Sequence, residues 1–518
     1  MITCLIIHEF LRRKINIIGA GISGLSAGCY LQKIGFETQI FEKHSLAGGL
    51  CTGWKRNGYT INCSSHWIMG SDKGSSFYKM WSEIIDMKSI PFHNHDLKYD
   101  LELKTNTDKY GSKIFHFYTN LDKLEKYLID IAPEDSEIIQ TFIKKVRVFQ
   151  NYDLPPIPQE NSFLKATIEG MKMARYFPVL KLIREWNKET NFTFATKLKN
   201  PFLKESFQLL YDDDEVKMLV FALPLAFYDS KSAGYPIGGS LTLVNKLEET
   251  YKSLGGKINF NSDIQKIIIE NNQATGIQYN ENKVDNSDLT ISTADWYFTL
   301  FNALEGKYIT KTTTALKNQE KLKTFFSVVM FSIGINKDLG YLPHFFRFPL
   351  ETEITSPDGT KYQRFEVHIY NYDKTLAPEG KTLMSICFYT NNGEFWINQR
   401  ENDIENYKKL KNEFAEIVLQ NLEKKIGINT EMIDMLDIAT PATFLRYTNN
   451  WQGSTQGWMP GKNFMASPPV KLKIKGLNNF YYASHWNTPG GGIPVALKIG
   501  RDVTRLICKE NNIKFKTK

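Results

Sequence analysis

Early in the chain a short β-branched run, KINII (Lys14–Ile18), predicts a strand. After a glycine turn, LSAGCYLQKIG carries a helical pattern with Gly35 placed to end it, and ETQIFEK reads as a second strand closing at Glu42. Residues 75 to 230 read as an insertion with helical stretches such as LDKLEKYLIDIAPEDSEIIQTFIKKVRVF, where Pro133 followed by Glu134 and Asp135 signals a helix start. The stretch Phe163 to Trp186 interleaves large apolar residues with Lys165, Lys172, Arg175, Lys181 and Arg184, the pattern of a basic amphipathic segment that lies on a membrane surface or packs as a cap helix. Further on, Leu241, Val244, Leu247, Tyr251 and Leu254 share one helical face, with Ser240 suited to the N-cap and Gly255 ending the helix. Short strands with a hairpin turn at Asn271 and Asn272 lead to Asp295. Residues 300 to 440 alternate strands, FFSVVMFSIGI and TLMSICFYT among them, with a helix around NDIENYKKLKNEFAEIVLQNLEKKIG. Last come a strand (NFYYAS), a loop (HWNTPGGG) and a helix whose apolar face is Val495, Ile499, Val503, Leu506 and Ile507, with Pro494 suited to its first position.

The loop between the first strand and helix is GAGISG, Gly19 to Gly24. Strand, glycine turn, helix, strand, acid is the structural context of a dinucleotide fingerprint. Gly19 permits the tight turn, Gly21 lets the backbone approach a pyrophosphate, and Gly24 lets the helix pack close to the strand; Ala20 and Ser23 fall in the same loop. The helix N-terminus offers free N–H groups and a positive dipole end to phosphates. Glu42, 23 residues after Gly19, is placed to accept from ribose hydroxyls, with Lys43 beside it. This pattern alone leaves NAD and FAD both open.

The segment AGGLCTGWKRNGYTINCSSHWIMG, Ala47 to Gly70, follows the acid at once. It resembles the second signature of the FAD-dependent amine oxidase and phytoene desaturase superfamily, and its wording is most similar to the phytoene desaturase, carotenoid isomerase and retinol saturase branch. The resemblance extends to residues 236–295, to the wording ATPATFLRYTNNWQGSTQGWMPG (Ala439 to Gly461) and to the C-terminal glycine run. It implies FAD as cofactor, with Gly48, Gly49 and Leu50 passing close to the diphosphate, the strand at Ile264 beside the adenine, and Gly491, Gly492 and Ile493 at the flavin ring. There a helix N-terminus would stabilise negative charge on reduced flavin. It implies an α/β fold: a discontinuous Rossmann-like FAD-binding domain (14–74, 231–298, 441–518) with an inserted α+β substrate domain (75–230, mainly helical, and 299–440). It also implies an oxidoreductase that desaturates, saturates or isomerises double bonds of a carotenoid- or polyprenoid-like lipid. His66 and His485 are the candidate catalytic residues by position. Cys63 and Ser64, and His485 with Trp486, depart from the branch's usual residues, so redox direction and substrate stay open.

Composition narrows this picture in a few places. A net charge of +8 over 518 residues is mild and shows no basic stripe, which argues against nucleic acid and leaves peripheral contact with an anionic membrane open. The six cysteines include no C-x-x-C pair, and the nine histidines no H-E-x-x-H. Free thiols in a reducing, cytoplasmic setting are expected, without a metal site. His93 and His95 read as loop residues. The start, MITCLIIHEFLRRK, lacks the order of a signal peptide, and no apolar run reaches the roughly 20 residues of a membrane span. With no second fingerprint for NAD(P)H, electrons are expected to pass to or from oxygen, a quinone or a redox protein. Two other readings stand beside the leading one: a flavin amine oxidase, and a non-catalytic prenyl-lipid carrier of the same fold.

Overall fold

In the computed structural model, residues 13–64, 66–150, 176–211, 214–459 and 470–517 are described. The strands that position the site are β1 (Lys14–Ile18), β2 (Glu37–Phe41), β3 (Leu97–Glu102), β4 (Ile114–Tyr118), β5 (Lys257–Asn259), β6 (Leu289–Ser292), β7 (Ser327–Ile335), β8 (Phe345–Thr355), β9 (Lys361–Ile369), β10 (Thr382–Thr390), β11 (Ile433–Ala439) and β12 (Phe480–Tyr482). Three helices matter most: α1 (Ile22–Ile34), α2 (Ser240–Ser253) and α3 (Ile493–Glu510).

One sheet runs in the order β5-β2-β1-β6-β12, every pair parallel. Parallel strands need crossovers, and both sheet faces are then covered. Ile15, Ile17, Ile40 and Ile291 are accordingly buried, with Leu25, Tyr251 and Val503 of the helices in the same core. The chain leaves this sheet twice and returns, because its strands come from three separated stretches.

Helices α1 and α3 pack against each other at unusually close range. A Cβ on Gly500 would lie 2.6 Å from the Ser23 carbonyl oxygen and 2.7 Å from the Ala27 nitrogen. Ser23 Oγ donates to the Ala496 carbonyl (3.0 Å) and Ser26 Oγ to that of Leu497 (2.9 Å). These contacts hold the two glycine turns, which open the two helices, in one geometry. Gly500→Val is therefore expected to cost about 3 kcal/mol of stability or more, since the clash is with backbone and not with a side chain that can turn away. Urea unfolding measures this; an unchanged midpoint would show that the helices slide freely.

A second sheet has the order β11-β7-β10-β9-β8-β3-β4, antiparallel except where β8 meets β3. Its β3 and β4 come from the first insertion and the rest from the second, so the two insertions build one unit. Phe331, Phe388, Phe414 and Trp396 fill its core on one side. On the other side a helical cap packs Phe142, Trp186, Phe207 and Phe221 against Tyr99, Phe115 and Phe117. Of the amphipathic stretch Phe163 to Trp186, residues 163–175 lie outside the described residues. The helix Phe177–Trp186 buries Val179, Leu182, Ile183 and Trp186 in the cap core and leaves Phe177 exposed. Among the described residues no helix is long and apolar enough to cross a membrane. Cys29, Cys51, Cys63, Cys387 and Cys508 are free thiols.

Some boundaries differ from expectation for local reasons. The N-cap of α2 is Gly239, and Ser240 is its first helical residue. The orphan amide of Ser240 is satisfied by Asn62 Oδ1 (3.0 Å), which also accepts from Ser240 Oγ (2.9 Å), so a distant side chain does the capping. Helix α3 begins at Ile493, which puts Pro494 in its second position. Strand β2 stops at Phe41, and Glu42 lies just beyond it. The turn at Asn271 and Asn272 has both residues at positive φ, as a two-residue hairpin requires.

Candidate active site

The first wall of the site is the turn after β1. Gly19 has φ +96°, a conformation side chains resist, and its amide donates to the Phe41 carbonyl (2.8 Å). A Cβ on Gly24 would lie 2.0 Å from the Gly19 carbonyl oxygen, so α1 starts hard against the strand. Gly21 differs: a Cβ there meets nothing closer than the Gly48 carbonyl oxygen at 3.9 Å, because that side of the residue lines the cavity. Gly21 is also the N-cap of α1 and supplies no side-chain cap, which leaves the first amides of the helix available. The second glycine pair closes on the first, with the Gly48 amide donating to the Ala20 carbonyl (2.9 Å).

Glu42 is buried and braces this turn. Its Oε2 accepts from the Ala20 amide (2.7 Å) and its Oε1 from the His44 amide (2.9 Å). Burial pushes its pKa up, and the amides oppose that shift. A carboxylate has about four acceptor sites, so lone pairs remain for a hydroxyl from the cavity it lines. Lys43 donates to Asn449 Oδ1 (2.7 Å) and lies 3.7 Å from Asp263. Ser23, Lys43, Gly49, Leu50 and Ile264 line the same cavity. Ala20 and Gly24 do not line it; they shape the turn from behind.

The second wall is the C-terminal glycine run. Gly491, Gly492 and Ile493 line the cavity, and Gly492 is the N-cap of α3, again without a side-chain cap. Two uncapped helix N-termini thus open on one cavity of about 1810 Å³. Its lining also includes Cys63, Ser64 and Trp67, Phe326 just before β7, and Met330 and Tyr389 of the second sheet. Ligand pockets for small molecules span roughly 300–1,000 Å³. The cavity here exceeds that range.

His66 and His485 both line this cavity. His66 Nδ1 and His485 Nε2 are buried without a hydrogen-bond partner, and burial pushes each imidazole down to about 4. Both rings are therefore neutral at neutral pH. Trp486 has a structural role: fully buried, it packs with Trp296, Trp451 and Trp458 and donates from Nε1 to Asn450 Oδ1 (2.9 Å).

A histidine cluster stands behind His66. Its ring stacks on His368 (4.2 Å between centroids), which stacks on Phe345 (3.8 Å). His95 stacks on His344 (3.7 Å), and His93 meets His95 edge-on (4.5 Å). The reading of His93 as a loop residue is corrected, since it closes a short strand (Phe92–His93); His95 lies in the loop that follows, and both rings pack into this cluster. No local spacing could have signalled it, since His344 and His368 arrive from the second insertion. Among the described residues no group of histidine, cysteine or acidic side chains is arranged to hold a metal.

Comparison with known proteins places this geometry in a class. Residues 17–84 match the model of the NAD(P)-binding Rossmann-like domain. Solved structures of similar fold include an oxidoreductase from Methanosarcina mazei (TM-score 0.57, 19% identity, 94% of this chain and 99% of that one) and a putrescine oxidase bound to putrescine (TM-score 0.55, 11% identity, 96% and 99%). The chain has the α/β fold of the Rossmann-type oxidoreductases. Within that class it is similar along its length to the phytoene desaturase branch. A 4,4'-diapophytoene desaturase (4,4'-diapolycopene-forming) of Methylomonas sp. is 23% identical over 97% of both chains. A chloroplastic prolycopene isomerase of Daucus carota is 24% identical over 92% of this chain and 77% of its own.

Proposed function

We propose that the chain is an FAD-dependent oxidoreductase that desaturates, saturates or isomerises carbon–carbon double bonds of a long carotenoid- or polyprenoid-like lipid. The observation that carries this reading is the single cavity that joins the glycine cradle, the second glycine turn and an apolar chamber. The fit to FAD is supported by the face of Gly21, which a Cβ would fill, and by two helix N-termini with free amides. Gly19, Gly21, Ser23, Gly48 and Gly49 would hold the diphosphate, Glu42 and Lys43 the ribose, Ile264 the adenine, and Gly491, Gly492 and Ile493 the ring. The flavin-binding unit is then 14–74, 231–298 and 441–518, and the substrate unit 75–230 and 299–440.

Bound there, the flavin supplies a two-electron acceptor or donor, chemistry that is the cofactor's own. The protein contributes surroundings and protons. The amides opening α3 favour negative charge beside them. The apolar walls exclude water and hold an extended chain in line. His66 and His485, each neutral with a free buried nitrogen, can take up or hold a proton at that nitrogen. Electrons pass to or from oxygen, a quinone or a redox protein, and a lipid substrate calls for peripheral contact with a bilayer.

The test is expression in cells that make polyprenoids, followed by mass analysis of the lipids. A shift of about two mass units marks desaturation or saturation, and a new retention time at constant mass marks isomerisation. A purified protein without flavin absorption near 450 nm (approximate for any bound flavin) would instead favour the carrier reading. His66→Ala is expected to reduce turnover by about a hundredfold or more while flavin stays bound. Unchanged turnover would remove His66 from the mechanism.

A further inference from the structure

The cavity wall carries a charge that a hydrocarbon substrate does not need. Strand β3 pairs with β4 so that Leu97 faces Tyr118 and Tyr99 faces Phe117, which leaves Lys98 as the extra residue of a bulge. Such a bulge breaks the alternation of side chains and re-aims the residue it carries. Lys98 accordingly has its ammonium over the rings of Tyr99, Phe117, Tyr211 and Phe221, at 5.5–6.0 Å from their centroids, and lines the cavity. Among the described residues that ammonium has no hydrogen-bond or ion-pair partner.

The neighbouring charges do not neutralise it. Arg347 is nearly fully buried on the adjoining strand, where its Nε lies 2.7 Å from Glu366 Oε1 and its Nη1 donates to the carbonyls of Leu209 (2.6 Å) and Leu210 (3.0 Å). Glu366 is thus held by Arg347. Lys98, Arg347 and Glu366 thus form a group of two cations and one carboxylate, with the carboxylate engaged by the guanidinium. Burial, and then the nearby guanidinium, push Lys98 down to about 8, so at neutral pH it is still mostly cationic. Aromatic faces attract a cation but satisfy no N–H donor. An ammonium walled in by four aromatic rings, with its donors facing a cavity, is stabilised by a ligand group that can accept from it.

We propose that Lys98 binds the anionic end of the substrate, so that the lipid taken by this cavity is a long polyene chain ending in a carboxylate. This rests on the reading of the cavity as a lipid site and narrows its substrate class. The carboxylate would accept from the Lys98 ammonium while the chain runs along the apolar wall toward the second glycine turn.

The test uses the purified full-length protein and a fluorescent conjugated tetraene fatty acid, cis-parinaric acid, beside its methyl ester. Ester and acid share the chain, so non-specific apolar binding favours the ester. The wild type is expected to bind the acid about tenfold more tightly or better, the scale of a hydrogen bond to a charged group. Lys98→Met is expected to abolish that preference and Lys98→Arg to keep it. Equal affinity for acid and ester in the wild type, no binding of either, or a preference that survives in Lys98→Met overturns the proposal. The wild-type comparison stands even where a variant fails to fold. Flavin absorption of the same samples separates the two readings. An acid preference without a flavin band defeats the flavin assignment alone; a flavin band without an acid preference defeats the lysine subsite alone.

Discussion

Replacing Gly21 by valine is expected to yield a folded protein that binds no flavin. Gly21 sits at φ −70° and ψ 176°, a conformation any residue adopts, so the substitution carries no backbone strain. Its Cβ would meet no protein atom closer than 3.9 Å. The added methyls instead enter the space in front of the α1 amides, where a diphosphate would lie. The thermal midpoint of cofactor-free protein should stay within about 2 °C. Affinity for FAD should fall by on the order of a hundredfold or more, since phosphate and helix amides can no longer meet. Absorbance at 280 nm against about 450 nm reads the loss directly. The contrast is Gly24→Ala, whose Cβ would stand 2.0 Å from the Gly19 carbonyl oxygen; that variant should fail by unfolding. If Gly21→Val retains flavin at the wild-type ratio, the diphosphate lies elsewhere.

Acid is expected to unfold the protein steeply between pH 6.5 and about 4. Burial, first among the causes, lowers every histidine of the cluster: His66 and His344 to about 4, His95 to about 2, His368 well below the usual range, and His93 in the same direction. Folded values below the unfolded value of about 6.5 mean that the unfolded chain binds these protons first. The stabilisation is complete above pH 6.5 and is lost as pH falls toward the folded values. Each extra proton on the unfolded state tilts stability by about 1.4 kcal/mol per pH unit, so four acting together give roughly 5 kcal/mol per pH unit. Set against a total of about 5–15 kcal/mol, one or two pH units suffice. Asp96 and Asp373 soften the shift at His93. His116, raised by its hydrogen bond to Asp100 (2.7 Å), acts outside this window: its stabilisation is fully present below pH 6.5 and is lost only as pH rises above it. Tryptophan fluorescence and near-ultraviolet circular dichroism against pH measure the transition. His368→Phe, which keeps the stack on Phe345, should move the midpoint to lower pH. A protein equally stable at pH 7 and pH 4.5 would show that the cluster is solvated.

How much of this was legible in advance follows the range of each interaction. The turn chemistry of Gly19, Gly21 and Gly24, the spacing to Glu42 and the pair Gly48–Gly49 are local, so their geometry is written in consecutive residues. The same holds for the glycine run before α3, and the two turns were expected at opposite ends of one site. The role of Glu42 was only half legible: its place in the cavity wall follows from spacing, but its hold on the Ala20 and His44 amides depends on how the chain doubles back. Ser240 has the local pattern of a cap, but Asn62, far away in sequence, performs that task.

By itself, then, the sequence determined the parallel α/β unit and its glycine turns, on which the proposed class of ligand rests, because those depend on backbone conformations that neighbouring residues dictate. Only the tertiary structure decided the rest. The packing of α1 on α3 through Gly500 sets the spacing of the two turns, the fold gathers four histidines behind His66, and a bulge turns Lys98 into the cavity. Each of these joins residues from separated stretches, or depends on the register of paired strands. Neither distance across the fold nor register is encoded in any local pattern, and burial, which sets the charge of the histidines and of Lys98, exists only once the layers have closed.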